Sequence, residues 1–241
     1  MSQRFEDKVV VVTGGSRGIG RAIAERFARE GAKVCVAANE PMVHETAQAL
    51  RAAGARAMSD VVDVTSREQV KGLYEQVARE LGEVDVSVQN AGVITVARLE
   101  DLTEAEWDKI MAVNTKGVFL CCQEAALRMR AAGKQGRLIN TASGQARQGF
   151  IYTPHYAASK FGVVGITQSL ANELGWRKIR VNAIAPGPTD TGALAKTAGD
   201  YAKEMIKSMP IKRLGTPKDM ADAALFLLSD EASWITGHIL N

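Results

Sequence analysis

Four consecutive valines at positions 9–12 break off at Thr13. The chain then passes through Gly14-Gly15-Ser16-Arg17-Gly18-Ile19-Gly20 straight into a helical pattern. A β-branched run of this length suits a strand buried on both faces. Ile19, Ile23 and Phe27 fall on one helical stripe, and Gly31 supplies its stop. A strand that feeds a helix through so tight a turn commits the start of the chain to a βα unit. The crossover to the next parallel strand is then right-handed.

The same alternation continues along the whole chain. Strands are expected at 33–37, near 58–64, and at 84–89, 137–141 and 179–185. Helices are expected at about 43–53, from 65 to about 82, at 103–132, at 155–174 and from 216 to about 229. Thr65 with Glu68 and Thr103 with Glu106 have the spacing of capping boxes, and Thr216-Pro217 pairs a cap residue with an N1 proline. No linker, repeat or low-complexity segment interrupts the pattern. The expectation is therefore a single α/β, Rossmann-type doubly wound domain over 1–241, with a parallel sheet of about seven strands and helices on both faces.

Composition narrows the function classes. The chain is 46% hydrophobic and 24% charged, and its 30 basic and 27 acidic residues are spread without a basic block, which argues against nucleic acid as a partner. No apolar stretch approaches a membrane span and the start is unlike a signal peptide. Cys35, Cys121 and Cys122 are odd in number and fall in apolar patterns, so they read as core thiols in a reducing cytoplasm. The histidines at 44, 155 and 238 make no metal-ligand spacing with them, and no metal is expected.

A glycine turn between strand and helix is also a recipe for holding a pyrophosphate. Gly14 permits the turn, the small residue at Gly18 admits backbone N–H groups to the phosphates, and Gly20 lets helix and strand approach. Its spacing is G-x-x-x-G-x-G, and alone such a turn is equally a tight βα connection. The second strand ends in Ala37-Ala38-Asn39-Glu40. An acid at this point would bind the ribose hydroxyls of NAD, and a nearby arginine would accept the 2′-phosphate of NADP. Ala38 is neither and Glu40 lies late, whereas Arg17 sits inside the loop, so NAD(P) choice leans to NADP.

Tyr156 and Lys160 stand four apart on an expected helix and share one face, roughly 5–6 Å apart at Cβ. A neighbouring cation favours the phenolate and would bring a phenol of pKa about 10 into working range. Taken alone, the pair is also what an ordinary helix surface carries. Its context is more telling, because Gly14, Asn90, Ser143 and Pro186-Gly187 all follow strand ends on one rim. Ligands of open parallel sheets bind at that rim, and a hydroxyl there can bond a carbonyl as charge develops on its oxygen.

With these residues in order and in spacing, the sequence resembles the classical short-chain dehydrogenase/reductase family over nearly its whole length, from Thr13 to Gly237. The resemblance implies that Tyr156 is the general acid/base, that Lys160 lowers its pKa and holds the nicotinamide ribose, and that Ser143 positions the substrate oxygen. It implies that Asn114 kinks the fourth helix and holds a water linked to Lys160. It assigns the phosphate loop to Gly14, Ser16, Arg17, Gly18, Ile19 and Gly20. The adenosine side falls to Asn39, Asp63 and Val64. Asn90, Ala91 and Gly92 line the cofactor, as do Pro186, Gly187, Thr189 and Thr191. Thr189 replaces a more usual branched aliphatic residue. The family continues past Gly237–Asn241 through a last strand and an aspartate-glycine-glycine turn, which leaves that strand in doubt here.

Substrate selection is expected from Gln145 and Arg147, with neighbours up to Thr153, and from a lid at about 189–213 that carries Lys196, Lys203 and Lys207. Polar and apolar groups mixed in the first segment suit a small polyol, sugar or diol, although Arg147 also fits a solvated loop. Three alternatives stand beside that reading: a 3-oxoacyl-carrier-protein reductase, a non-catalytic nucleotide-binding regulator, and an epimerase-like relative, for which the chain has no room. The helices at 103–132 and 155–174 are apolar around much of their circumference, and the resemblance makes them the contact of a homotetramer or dimer.

Overall fold

The computed structural model describes residues 3–192, 206–207 and 209–241. Seven parallel strands form one sheet: β1 (Val9–Thr13), β2 (Lys33–Ala38), β3 (Ala57–Val61), β4 (Val86–Gln89), β5 (Arg137–Thr141), β6 (Arg180–Ile184) and β7 (Ile239–Leu240). Their order is β3-β2-β1-β4-β5-β6-β7. The expected α/β doubly wound sheet is present. The last strand forms as well, with Ala183 and Ile184 of β6 paired to Ile239 and Leu240.

Alternate residues of β1 explain why helices cover both faces. Val9 and Val11 enter the core under α3 (Arg67–Glu80), α5 (Val118–Ala131) and α6 (Pro154–Leu174). Val10 and Val12 enter the core under α1 (Gly18–Arg29), α2 (Val43–Ala52) and α7 (Pro217–Leu228). β1 is buried along its whole length because water reaches neither of its faces. Chain order reverses between β1 and β4, and such a switch point opens a crevice at the carboxyl ends of the strands.

Several local expectations are corrected. Ser66, not Thr65, caps α3, accepting from the Gln69 N–H, because the Thr65 N–H is already turned onto Asp63 Oδ1 at 2.9 Å. β3 stops at Val61, three residues early, and Asp63 and Val64 belong to this turn. Thr103 caps as expected, but the helix it opens is not continuous to 132. It runs as α4 (Glu104–Met111), loosens into a π-helical segment at Ala112–Gly117, and resumes as α5. Thr216 and Asp219 close a reciprocal capping box at the start of α7. Arg180 donates to the carbonyls of Leu227 and Ala232, and to that of Ser229, and so satisfies orphan groups at the far end of α7. Among the described residues, no helix is long and apolar enough to cross a membrane.

Candidate active site

The glycine loop is shaped by approaches that leave no room for side chains. Gly14 (φ +66°) and Gly18 (φ +57°) lie in the left-handed region. A Cβ on Gly20 would stand 2.2 Å from the Gly14 carbonyl oxygen and 2.4 Å from Asn90 Nδ2. Asn90 donates from Nδ2 to the carbonyls of Thr13 and Gly14, both at 3.1 Å, while the Thr13 hydroxyl accepts from the N–H of Asn90 and of Ala91. The ends of β1 and β4 are thereby tied together at the switch point.

The loop fits a dinucleotide phosphate. Arg17, at the N-cap of α1, makes no side-chain cap and the first turn holds no acid, so the leading N–H groups of the helix are left for an anion. Thr191 faces this loop across the crevice: a Cβ on Gly18 would lie 3.5 Å from Thr191 Cβ. Thr189 is buried, donates to the Gly187 carbonyl at 2.9 Å and bridges to Gly215. The Pro186-Gly187 turn thus bends the chain back toward the loop. Ser16 is buried, Asn39 is exposed at the end of β2, and Ile19 is half-buried.

Lys160 is buried on α6 and its Nζ donates to the Thr141 carbonyl at the end of β5, at 2.7 Å. Burial pulls its ammonium down to about 8. The same ammonium lies 5.7 Å from the Tyr156 ring centroid. Burial raises the Tyr156 phenol, and hydrogen bonding with Ser143 opposes that rise. Ser143 is extended at the start of a short 3₁₀ turn and accepts from the Gln145 N–H.

Asn114 sits fully buried within the π-helical segment. Its amide exchanges both hydrogen bonds with the Val93 backbone, each at 2.9 Å, and donates to Ser159 Oγ at 3.1 Å. Ser159 in turn donates to the Tyr156 carbonyl at 2.7 Å. Gly92 separates Asn114 from Lys160: a Cβ there would lie 3.3 Å from Asn114 Oδ1 and 3.6 Å from Lys160 Nζ. The π turn lets one helix offer Asn114 inward without losing its neighbours on the sheet.

Ser143, Tyr156, Lys160 and Asn114 are therefore brought together beside the glycine loop, and Asn90, Ala91, Gly92 and Thr191 border it. Asp63 stays exposed, holding its own turn, while Val64 is buried against Gly117. Gln145 accepts from Thr153 Oγ1 at 2.8 Å, which leaves it a loop-positioning group, and Arg147 is exposed. Of the expected lid, Lys196 and Lys203 lie outside the described residues. Sequence reasoning missed the Thr13 hydroxyl, the Thr141 and Val93 backbone partners, and His155, whose Nε2 pairs with Thr95 Oγ1 at 2.8 Å. Backbone partners carry no sequence signal. His155 had one, adjacency to Tyr156 at the start of a helix.

Comparison with known proteins places this geometry. The family model described as "Enoyl-(Acyl carrier protein) reductase", a short-chain dehydrogenase model, matches residues 14–241. The chain belongs to the short-chain dehydrogenase/reductase family. An uncharacterized oxidoreductase of Mycobacterium tuberculosis is 40% identical, with 98% of this chain and 96% of that protein covered. A 3-oxoacyl-[acyl-carrier-protein] reductase of Chlamydia muridarum is 35% identical, with 100% and 98% covered. Among solved structures, an NADP-bound protein of Beutenbergia cavernae assigned as an NAD(P)-dependent gluconate 5-dehydrogenase has a TM-score of 0.94. It shares 36% identity, covering 100% of this chain and 96% of that one. The family reading of the sequence is thus shown, and the sheet described above is that of a family member.

Proposed function

We propose that this short-chain dehydrogenase/reductase is an NAD(P)-dependent oxidoreductase interconverting a secondary alcohol and a ketone. The observation that carries the reading is the gathering of Ser143, Tyr156 and Lys160 at the carboxyl end of β5, next to an uncapped helix N-terminus. When bound, the nicotinamide would supply or accept the hydride.

The chain's own residues handle the rest. Ser143 holds the substrate oxygen, and Tyr156 passes a proton to it or takes one from it. Lys160, cationic and anchored on the Thr141 carbonyl, favours the phenolate without leaving its place. Asn114 fixes Val93 and Ser159, and through Ser159 the backbone of Tyr156 itself. The leading N–H groups of α1 bind the pyrophosphate. The cofactor is NAD or NADP, with Arg17 and Ala38 supporting a lean to NADP.

For the substrate we favour a small polyol, sugar or diol, supported by the half-exposed Phe150 and Tyr152 beside Gln145 and Arg147. A carrier-protein-bound 3-oxoacyl group is the alternative. The buried, unpaired thiols of Cys35, Cys121 and Cys122 suit a reducing compartment, the cytoplasm. A groove of about 510 Å³ on the outer face of α4, the π segment, α5 and α6 is lined by Met111, Ala112, Phe119 and Ile166, and we assign it, with the exposed Phe161 of α6, to contact between subunits of a homotetramer or dimer.

Absorbance at 340 nm tests the reading, with NAD and NADP offered against polyols, sugars and diols, and with 3-oxoacyl esters in the reverse direction. Turnover that disappears in Tyr156→Phe supports it. Nucleotide binding without turnover on any of these substrates favours the non-catalytic regulator, and no nucleotide binding by folded protein overturns it.

A further inference from the structure

Between β4 and α4 the chain at 93–97 forms a strap without regular structure, along which exposure alternates. Val93, Thr95 and Ala97 are half-buried, whereas Ile94 and Val96 are exposed. Each inward residue is tied to a different part of the site. Val93 exchanges two backbone bonds with Asn114, Thr95 Oγ1 lies 2.8 Å from His155 Nε2, and the Ala97 N–H donates to the Tyr152 carbonyl at 3.0 Å. The first tie lies beside Gly92, close to Lys160. The other two reach the start of α6 and the loop that precedes it.

His155 is the second residue of α6, next to Tyr156, and is fully buried. Its Nδ1 is buried with no partner among the described residues. A proton there would be an N–H buried without an acceptor, so the ring proton belongs on Nε2, which donates to Thr95. An apolar side chain would fill the same space without leaving a polar atom unmatched. What the imidazole adds is its tie to Thr95. Tyr152 gives a second sign of constraint. Its φ of +63° lies in the left-handed region, a costly place for a bulky side chain, and its carbonyl is the one the strap holds.

We propose that His155 is a positioning residue for substrate binding, which through Thr95 fixes the outer half of the strap against the helix that carries Tyr156. The inference rests on the alcohol–ketone reading above and deepens it. Two walls meet at the start of α6. One is the 145–153 loop, with Phe150, Ile151 and Tyr152 exposed, and the other is the strap, with Ile94 and Val96 exposed. Both are anchored to the same helix end, so the gap between them is set relative to the phenol. Asn114 and His155 divide the strap between them. Asn114 holds the end near Lys160, and His155 holds the end beside the substrate loop. Contacts far from the reacting carbon act alike on bound substrate and transition state, so loosening them raises KM and spares kcat.

The test is steady-state kinetics at 340 nm on the full chain, with whichever polyol, sugar, diol or 3-oxoacyl ester it turns over fastest. Thr95→Val removes the hydroxyl at a half-buried position and keeps the side chain's shape. It is expected to raise KM for that compound about tenfold, the scale of one hydrogen bond, with kcat changed by less than about threefold. The dissociation constant of the nucleotide, measured by titration on the same preparation, should stay within about twofold of the parent. Thr95→Ser restores the hydroxyl and is expected to return KM to within about twofold. His155→Phe should reproduce Thr95→Val, and the two together should be no worse than either alone, because a single bond is lost. An unchanged KM in Thr95→Val overturns the proposal. So does a matching fall in kcat and nucleotide affinity, which would mean general loosening, and so do effects that multiply in the double variant. Absence of turnover by the folded, unsubstituted chain overturns the alcohol–ketone reading itself, whereas turnover with an unmoved KM removes His155 alone.

Discussion

The ammonium of Lys160 lies 5.7 Å from the centroid of the Tyr156 ring, one helical turn away on α6, and is held off the phenol by its bond to the Thr141 carbonyl. Burial acts on the two groups in opposite directions, lowering Lys160 to about 8 and raising Tyr156. Both shifts disfavour the charged form of each partner. A cation beside the phenol restores the phenolate, so each residue needs the other to work at neutral pH.

Removing the phenolic hydroxyl should therefore separate chemistry from binding. Tyr156→Phe is expected to lower kcat by about 10³-fold, within the range of a lost general acid/base, while nucleotide affinity stays within a few-fold of the parent. Steady-state rates at 340 nm and a nucleotide titration on the same preparation check both halves.

The lowered value of Lys160 also has a sign in stability. Its folded pKa of about 8 lies below the ordinary lysine value of 10.5, so between those limits the unfolded chain binds more protons. Stability therefore rises with pH across that window, and the penalty is fully present below about pH 8. Its limit is about 3 kcal/mol, at roughly 1.36 kcal/mol per unit. In a Tyr156→Phe background, which removes the phenol's own titration, urea unfolding with and without Lys160→Met should give a difference that changes by up to this amount between pH 7.5 and 10.5. A difference independent of pH would mean that the ammonium is not desolvated.

Asn114→Ala leaves the Val93 N–H and carbonyl without their partner in a partly buried setting. The expected loss is about 2–3 kcal/mol, read as a lower urea midpoint at constant slope. Activity should fall as well, and more than the loss of folded protein explains, because Ser159 and the Tyr156 backbone lose a shared support.

Gly20→Ala would place a methyl group against Gly14 and the Asn90 amide at distances no real Cβ tolerates. The loop must open by more than an ångström. We expect a destabilisation of about 1–3 kcal/mol, as for other overpacked sites, with nucleotide affinity reduced at least tenfold. Thermal unfolding with and without NAD(P) separates the two effects, since the stabilisation given by the nucleotide should shrink.

Much of this was legible in the sequence because it depends on local pattern. The valines of β1, the glycines that follow and the Tyr156–Lys160 spacing each encode their geometry over a few residues. The helix covering 103–132 was less so. Its apolar pattern runs through Asn114 without a glycine or proline break at that residue, and the π turn arises from Asn114 bonding to Val93, a partner 21 residues away. The cap of α3 slipped by one residue because Asp63 competes for the Thr65 N–H. Arg17 illustrates the same limit. Its presence in the loop was readable, but its engagement with Glu40 needed the register that lays the end of β2 along the glycine turn.

The π-helical segment at Ala112–Gly117 makes the site sensitive to the length of its gene as well as to its letters. Loss of one codon there would let the segment tighten into unbroken α-helix, with each backbone bond remade to the residue four back. The helix would be more regular for it. The wide turn is where one extra residue is taken up, so α4 and α5 would keep their seats while the side chain at 114 lost the bulge that aims it inward. Asn114 could not then face Val93 and Ser159 while α5 keeps its seat on the sheet. A protein so altered should fold well and catalyse poorly, an outcome no single substitution at Asn114 would reproduce.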